Sequence, residues 1–432
     1  ADEIVREVKT RRATFVGFKL WTGAGVTGSL NIARRVKEAC PGVKIFGGGP
    51  HAECFGEKVM DDLAPVFDAV GLGEGEETIV RFAEYAAGKA DLGGRVVTDL
   101  HERIDDMDSL ADPCYEPDVY RAMQGDRKLK LIMLDESRGC PYSCNFCPHP
   151  LKSGQGWRVR APERVADLMG RLAETTGSRT FRLAGSNPPP EHRRGLAEEL
   201  VKRGSPFEYV SFGHTRAKEE PFELLRKSGC ISLFFGVESC SQEVLDRGLN
   251  KKTTVEKISN SLTGAKAAGI MTSASLIVPC PFDTQETLQE TVDVMASLKP
   301  DGVSIYLPIV VPGTTWFMEP ERFGIELTPG YEDVFMRYQV RFLMPPPLWD
   351  PLPYTIGGRD YGAMVDAASW VSSQLDRRGV VTGTNDSLLL MAREMSLSTM
   401  KVRNMNRKLF MTADGKKIGQ MVVRFNRSLS NT

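Results

Sequence analysis

No apolar run in this 432-residue chain approaches the roughly 18 residues needed to cross a bilayer, which argues against a transmembrane segment. Charge of one sign is missing too: 55 Lys and Arg stand against 56 Asp and Glu, for a net charge of −1. Bulk charge therefore offers no footing for nucleic acid or for an anionic membrane. The opening ADEIVREVKTRR is charged and helix-patterned, unlike a secretory signal. Nine cysteines are present, yet a disulfide framework is not expected in a cytosolic chain with room for a large core. The expectation is a cytoplasmic protein whose partner is a small molecule.

The length suffices for two or three cores of roughly 100–200 residues each. Helix and strand patterns alternate from the start. DEIVREVKTR, GSLNIARRVKEAC, a stretch near Glu57 to Leu63 and GEETIVRFAEYAAG read as helices, and ATFVGFKL, VKIFGG and FDAVGLG as strands. We place this first α/β domain at residues 1–92 and a linker at 93–129, where no period is sustained and prolines intervene. A second run over 130–315 begins with the strand LKLIMLDES. It repeats through RTFRLAGS, FEYVSFGH, ISLFFGVES, IMTSASLIV and GVSIYLPIV, with a helix pattern before each. Six parallel strands with outer helices imply a partial (β/α)6 TIM-type barrel, whose ligands sit at the carboxyl ends of the strands. Beyond it, residues 316–432 weaken into Pro-rich segments and mixed helix, read as a substrate-side C-terminal cap.

Three cysteines are packed into CPYSCNFC: Cys140, Cys144 and Cys147, with three and then two residues between them. Three thiolates on one short loop can reach three corners of a cubic [4Fe–4S] cluster and leave the fourth iron open to a substrate. Zinc is the rival, but structural zinc sites are closed by four ligands and usually pair two CxxC knuckles, which do not occur here. His149 is a candidate fourth ligand. The scattered Cys40, Cys54, Cys114, Cys230, Cys240 and Cys280 read as small buried hydrophobes.

The CxxxCxxC spacing after a first barrel strand, with Phe146 beside the last cysteine, resembles the radical S-adenosylmethionine superfamily over residues 130–315. The resemblance implies that the open iron is chelated by the methionine moiety of S-adenosylmethionine. One electron then splits the sulfonium C–S bond and releases a 5′-deoxyadenosyl radical. It places Phe146 at the cofactor. Gly185 and Ser186 stand where the family has a Gly-Gly-Glu-like turn; with no carboxylate there, Ser186 and Asn187 would meet the methionine amino group. GVES resembles the fourth-strand end, with Glu238 and Ser239 on the ribose or methionine groups. In LIVPCPFDT, Ile277 and Val278 would offer backbone groups to adenine, Pro279 and Cys280 taking the place of a turn glycine and its neighbour.

IFGGGPHA, FDAVGLG and GEGEET resemble the later half of a cobalamin-binding Rossmann-like (flavodoxin-like) domain, as fused in front of many radical enzymes of this kind. The cobalamin-facing residues implied are Trp21, Thr22 and Gly23, then Gly48, Gly49, Pro50 and His51, then Gly73, Glu74, Gly75 and Glu76. His51 is expected as an ordinary loop histidine rather than a cobalt ligand. A flavodoxin-like sheet runs 2-1-3-4-5, and this chain supplies strands three to five, so the domain is incomplete and ATFVGFKL an apolar edge. Residues further upstream in the natural protein are expected to complete it.

Three functions follow. The first is a cobalamin-dependent radical methyltransferase acting on an unactivated carbon, or a phosphinate phosphorus, of a metabolite, lipid, pigment or peptide. It would be served by an external electron donor such as a flavodoxin or ferredoxin. The second keeps the radical and forms or rearranges rings and C–C bonds without methylation. The third is a non-catalytic iron–sulfur electron-transfer or sensing module. Tyr306, Trp316, Trp349, Tyr354 and Tyr361 are candidate pocket aromatics, with core packing the commoner use of such residues.

Overall fold

The structure is a computed structural model that describes residues 1–21, 26–98, 103–125, 130–216, 220–338, 350–412 and 415–430. It forms two compact units, each discontinuous in sequence: residues 1–105, 146–155 and 310–361, and residues 106–145, 156–309 and 362–432.

In the first unit, four parallel strands lie side by side in chain order: β1 (Phe15–Lys19), β2 (Lys44–Gly48), β3 (Ala69–Leu72) and β4 (Val96–Thr98). The helices α1 (Asp2–Arg11), α2 (Val26–Ala39), α3 (Pro50–Phe55) and α4 (Glu76–Ala86) alternate with them. The core gathers Phe46, Ala69, Phe82, Leu92 and Val97, and the rings of Phe46 and Phe82 stack at 4.2 Å. β1 lies at the sheet edge, Phe15, Val16 and Phe18 half-buried, Gly17 and Lys19 exposed. β1, β2 and β3 thus stand in the order expected for strands three to five of a flavodoxin-like sheet, and β4 adds one strand beyond them.

Two local readings change. The helix expected near Glu57 begins earlier, because Pro50 starts α3, where its missing N–H costs nothing; a 3₁₀ turn at Gly56–Val59 and a last turn at Met60–Leu63 continue it. The segment read as the start of a linker supplies β4, whose three residues are too few to display a period. The first part of the expected C-terminal cap also belongs to this unit. Its helix Tyr331–Arg337 pairs Glu332 and Asp333 with Lys58, at 3.1 and 2.8 Å, and Arg337 with Asp62 at 2.9 Å.

The second unit holds a six-stranded parallel sheet in the order β10-β9-β8-β7-β6-β5. Its strands are β5 (Leu131–Leu134), β6 (Thr180–Leu183), β7 (Glu208–Gly213), β8 (Cys230–Glu238), β9 (Met271–Ile277) and β10 (Gly302–Tyr306). Connecting them are the helices α5 (Pro162–Thr176), α6 (Pro190–Lys202), α7 (Phe222–Lys227), α8 (Val255–Ala267) and α9 (Gln285–Leu298). β5 and β10 are the two edges, so the barrel is open, as expected. Phe181, Leu233, Phe235, Ala274, Leu276 and Val303 are all buried, the near-continuous apolar strands of a sheet covered on both faces.

The remainder of the expected substrate-side cap, residues 362–430, packs elsewhere. α10 (Asp386–Glu394) sets Leu390 against Val210 and Ile231, and Arg393 grips Glu208, the first residue of β7, at 2.5 Å. Val303 N–H donates to Val381 O at 2.9 Å, beside the start of β10. These contacts fall on the amino-terminal halves of the strands, away from the cysteine loop that follows β5. An open parallel sheet exposes its apolar interior at that end, and the tail covers it.

Candidate functional site

β5 ends at Leu134, and the chain then zips briefly, Ser137 and Arg138 pairing with Val159 and Arg158, before Gly139 at φ 78° turns it into the cysteine loop. Cys140, Cys144 and Cys147 form no disulfide, and all are half-buried. Buried Asn145 clamps the loop: its backbone N–H donates to Leu249 O at 3.0 Å and its side-chain amide to Gly248 O at 3.2 Å. Asn250 donates to Ser143 O at 2.9 Å. The segment after β8 thus holds a loop with little secondary structure of its own.

Charged groups crowd the same strand ends. Arg216, three residues past β7, donates from Nη2 to Cys144 Sγ at 3.1 Å and lies 3.9 Å over the Tyr142 ring. Burial pushes the Cys140 thiol up, while the Tyr142 backbone N–H and the Arg216 cation oppose that. On the loop's last turn, Phe146 packs on buried Trp316 at 5.8 Å, and His149 donates its backbone N–H to Cys147 Sγ at 3.4 Å.

The expected S-adenosylmethionine residues are placed as follows. A Cβ on Gly185 would come within 2.3 Å of Ser137 O, so only glycine fits there. Ser186 is buried and engaged with Ser137: its N–H donates to Ser137 O at 3.1 Å, and its carbonyl accepts from Ser137 Oγ at 2.9 Å. Asn187 accepts from Arg193 at 2.6 Å and donates to Gly213 O at 3.2 Å. The carboxylate missing from this turn's sequence arrives from the residues just past β5: Glu136, fully buried, accepts from Gly185 N–H at 3.1 Å. Burial raises its pKa to about 8, and its Oε1 has no hydrogen-bond partner.

Glu238 is held at φ 68° and nearly buried, with Oε1 3.1 Å from Lys251 Nζ and Oε2 accepting from Ser275 at 2.9 Å. Ser239 Oγ accepts from Ser241 N–H at 3.1 Å. Val278 donates its N–H to Tyr306 O at 2.9 Å, and Ile277 O accepts from Cys280 Sγ at 3.1 Å. Cys280 is fully buried, its thiol pushed well up by desolvation, so it sits in the inert state expected of it. Thr284 caps α9 in a reciprocal pair with Thr287.

The first unit offers a cleft of about 440 Å³ at the carboxyl ends of its strands. Gly48, Gly49, Gly73, Glu74 and Gly75 line it, with Gly17, Lys19 and Thr78. Gly49, Gly73 and Gly75 lie near φ +98°, where a side chain is strained. Glu53 accepts from Gly73 N–H, and Glu74 from Ile104 N–H at 3.2 Å, so carboxylates fix both sides of this glycine loop. Of the other cobalamin candidates, Trp21 is half exposed with Lys19 Nζ 4.6 Å over its ring, Pro50 opens α3, and Glu76 opens α4. His51 is 1% exposed, packs on Phe55 at 4.8 Å, and has its pKa lowered to about 4 by burial. It does not line the cleft. Thr22 and Gly23 lie outside the described residues, as does Trp349.

Among the described residues, no three His, Cys, Asp or Glu side chains converge closely enough to hold a metal ion. The fit of an iron–sulfur cluster therefore rests on the donor set: three cysteines without a disulfide on one eight-residue loop, pinned by amide clamps, with a guanidinium at one sulfur. Arg216, Lys251 and Glu136 were not singled out from sequence. A charged residue just past an apolar strand, the sign that marked Glu238, also marks Glu136 and Arg216; Lys251 lies 13 residues from its partner and carries no such sign.

Comparison with known proteins agrees with this layout. Residues 137–295 match the Radical SAM superfamily and residues 1–83 the B12 binding domain. The chain is 30% identical over 331 residues to the anaerobic magnesium-protoporphyrin IX monomethyl ester cyclase of Cereibacter sphaeroides, covering 68% of this chain and 52% of that one. It is 27% identical over 336 residues to the hopanoid C-3 methylase of Methylococcus capsulatus, 73% of this chain and 63% of that one. The chain thus spans between half and two thirds of the length of these relatives. The fold is that of the radical S-adenosylmethionine methyltransferase TsrM from Kitasatospora setae, solved with cobalamin and [4Fe-4S] cluster bound. The TM-score is 0.70 at 17% identity, with 96% of this chain and 91% of that one covered.

Proposed function

The chain belongs to the radical S-adenosylmethionine superfamily, in the class with an amino-terminal B12-binding domain, and on that footing we propose that it is a methyltransferase of unactivated positions. The target would be a carbon, or a phosphinate phosphorus, of a metabolite, lipid, pigment or peptide. The observation that carries this reading is the clamped three-cysteine loop at the carboxyl end of β5. A [4Fe–4S] cluster with S-adenosylmethionine would supply the adenosyl radical, and a cobalamin the methyl group.

The chain's own residues would bind and orient. Cys140, Cys144 and Cys147 are the cluster ligands, kept in register by Asn145 and Asn250. With Ser186 and Asn187 engaged in the fold, Glu136 is the carboxylate nearest the turn expected to meet the methionine amino group. Glu238 would meet ligand hydroxyls from an orientation that Lys251 and Ser275 impose. In the first unit, the glycine loops at Gly48–Gly49 and Gly73–Gly75 would let a corrin edge or its nucleotide tail lie against backbone. Half-buried thiols and a low-potential cluster suit a reduced cytoplasmic setting and an external one-electron donor.

Anaerobic reconstitution with iron, sulfide and cobalamin, followed by mass analysis after adding S-adenosylmethionine and reductant, tests the proposal. Methyl transfer gives both S-adenosylhomocysteine and 5′-deoxyadenosine. Unchanged S-adenosylmethionine, alike in the wild type and in Cys140→Ala, would refute the enzyme. A second reading, ring formation without methylation, is favoured by the 30% identity to the cyclase, and would give the nucleoside alone.

A further inference from the structure

A cluster that must pass an electron to a sulfonium needs a low potential, yet not so low that its donor cannot reduce it. Hydrogen bonds to the sulfurs, nearby charge and burial set that value. Cys144 carries such a hydrogen bond from Arg216 Nη2 at 3.1 Å. The guanidinium is fixed from two further sides: its Nε donates to Lys251 O, and its plane lies 3.9 Å over the Tyr142 ring. Tyr142 is itself braced edge-on by Trp157 at 5.9 Å, and Trp157 Nε1 donates to Asn187 O at 2.9 Å. Three anchors leave a planar fork little freedom.

We propose that Arg216 sets the reduction potential of a cluster held by the cysteine loop, by donating an N–H···S hydrogen bond to Cys144 from a guanidinium locked by Tyr142 and Lys251. Reduction adds one electron to the cluster, and a fixed cation with a donor at the ligand sulfur stabilises that electron. Losing both makes the cluster harder to reduce. Arg216 is a positioning and tuning residue here, not a cluster ligand. The inference rests on the cluster reading above.

The test is an anaerobic redox titration of the reconstituted full chain, followed by electron paramagnetic resonance of the reduced cluster. Arg216→Gln is expected to keep the wild-type iron and sulfide content while lowering the reduced-to-oxidised ratio at a fixed potential about tenfold, or about 59 mV for one electron. Arg216→Lys, which keeps charge but loses the fork, should fall between. Tyr142→Phe retains the ring and should match the wild type; Tyr142→Leu, which removes the stack, should show part of the shift. A loaded Arg216→Gln cluster with an unchanged midpoint would overturn the inference and leave the cluster reading standing. Weaker S-adenosylmethionine binding at an unchanged midpoint would overturn it as well, and make Arg216 a ligand for the methionine carboxylate. Absence of a cluster in the wild type would overturn both. Thermal melts of the apo chains separate misfolding from tuning, since a fold defect lowers cluster content and a tuning defect does not.

Discussion

Lys251→Met removes one member of a buried ion pair while leaving the other in place. The side chains of Lys251 and Glu238 are 7% and 10% exposed, and Nζ lies 3.1 Å from Oε1. Stranding one partner of such a pair costs about 3–5 kcal/mol, because the remaining charge has been taken out of water and loses its counter-ion. Glu238 would keep the Ser275 hydroxyl at 2.9 Å, which places the expected cost near the lower end. At roughly 2–4 °C per kcal/mol for a domain of about 200 residues, about 3 kcal/mol lowers the melting transition of the six-stranded unit by about 6–12 °C. Lys251→Met combined with Glu238→Gln removes both charges and should recover at least half of the loss. Differential scanning calorimetry of the apo chains measures all three. A loss under about 1 °C for Lys251→Met, or no recovery in the double variant, would mean that Glu238 is not held by this pair. The orientation argued for it at the ligand would then fail.

Cys140→Ala, Cys144→Ala and Cys147→Ala should each abolish the reconstituted cluster's visible absorbance, whereas Cys280→Ala, at an inert buried thiol, should leave it intact. Asn145→Ala removes the side-chain amide that donates to Gly248 O and is expected to cost about 1–2 kcal/mol in a urea melt and to speed iron loss to a chelator. His51, whose pKa falls to about 4 on folding, stabilises the first unit fully only above its unfolded value of about 6.5. That contribution, up to about 3 kcal/mol, should be lost as pH falls from about 6.5 to 4, and His51→Leu should flatten this limb of the curve. His214, lowered to about 3 in the other unit, has the same sign, so the difference between wild type and variant is the readout. Gly17 lines the cleft and a Cβ there meets nothing within 4 Å, so Gly17→Phe should leave the melt unchanged and weaken cobalamin binding at least tenfold in equilibrium dialysis.

Much of the molecule was legible without coordinates, for reasons that can be named. Parallel strands covered on both faces are largely apolar, and a run such as ISLFFGV is hard to mistake for anything else. Three cysteines in eight residues mark a metal-binding loop by their spacing, and the family resemblance narrows it to a cluster. β4 was missed because Val96–Thr98 is too short to show alternation. The tail 362–430 was assigned to the wrong end of the barrel because its helices carry no sign of which strand termini they cover; Arg393 on Glu208 and Leu390 on Ile231 reveal that only once folded.

Sequence alone carried the motifs on which the resemblance to a cobalamin-binding radical S-adenosylmethionine enzyme rests, since thiol spacing and glycine-rich strand ends are local properties written along the chain. Tertiary structure alone decided who stands beside those groups. Lys251 faces Glu238 from 13 residues away, Glu136 reaches Gly185 across 49, and Arg216 meets Cys144 across 72. The physical reason is the same in each case. A parallel sheet brings the carboxyl ends of distant strands to one rim, and no periodicity in the chain records which residues will be neighbours there.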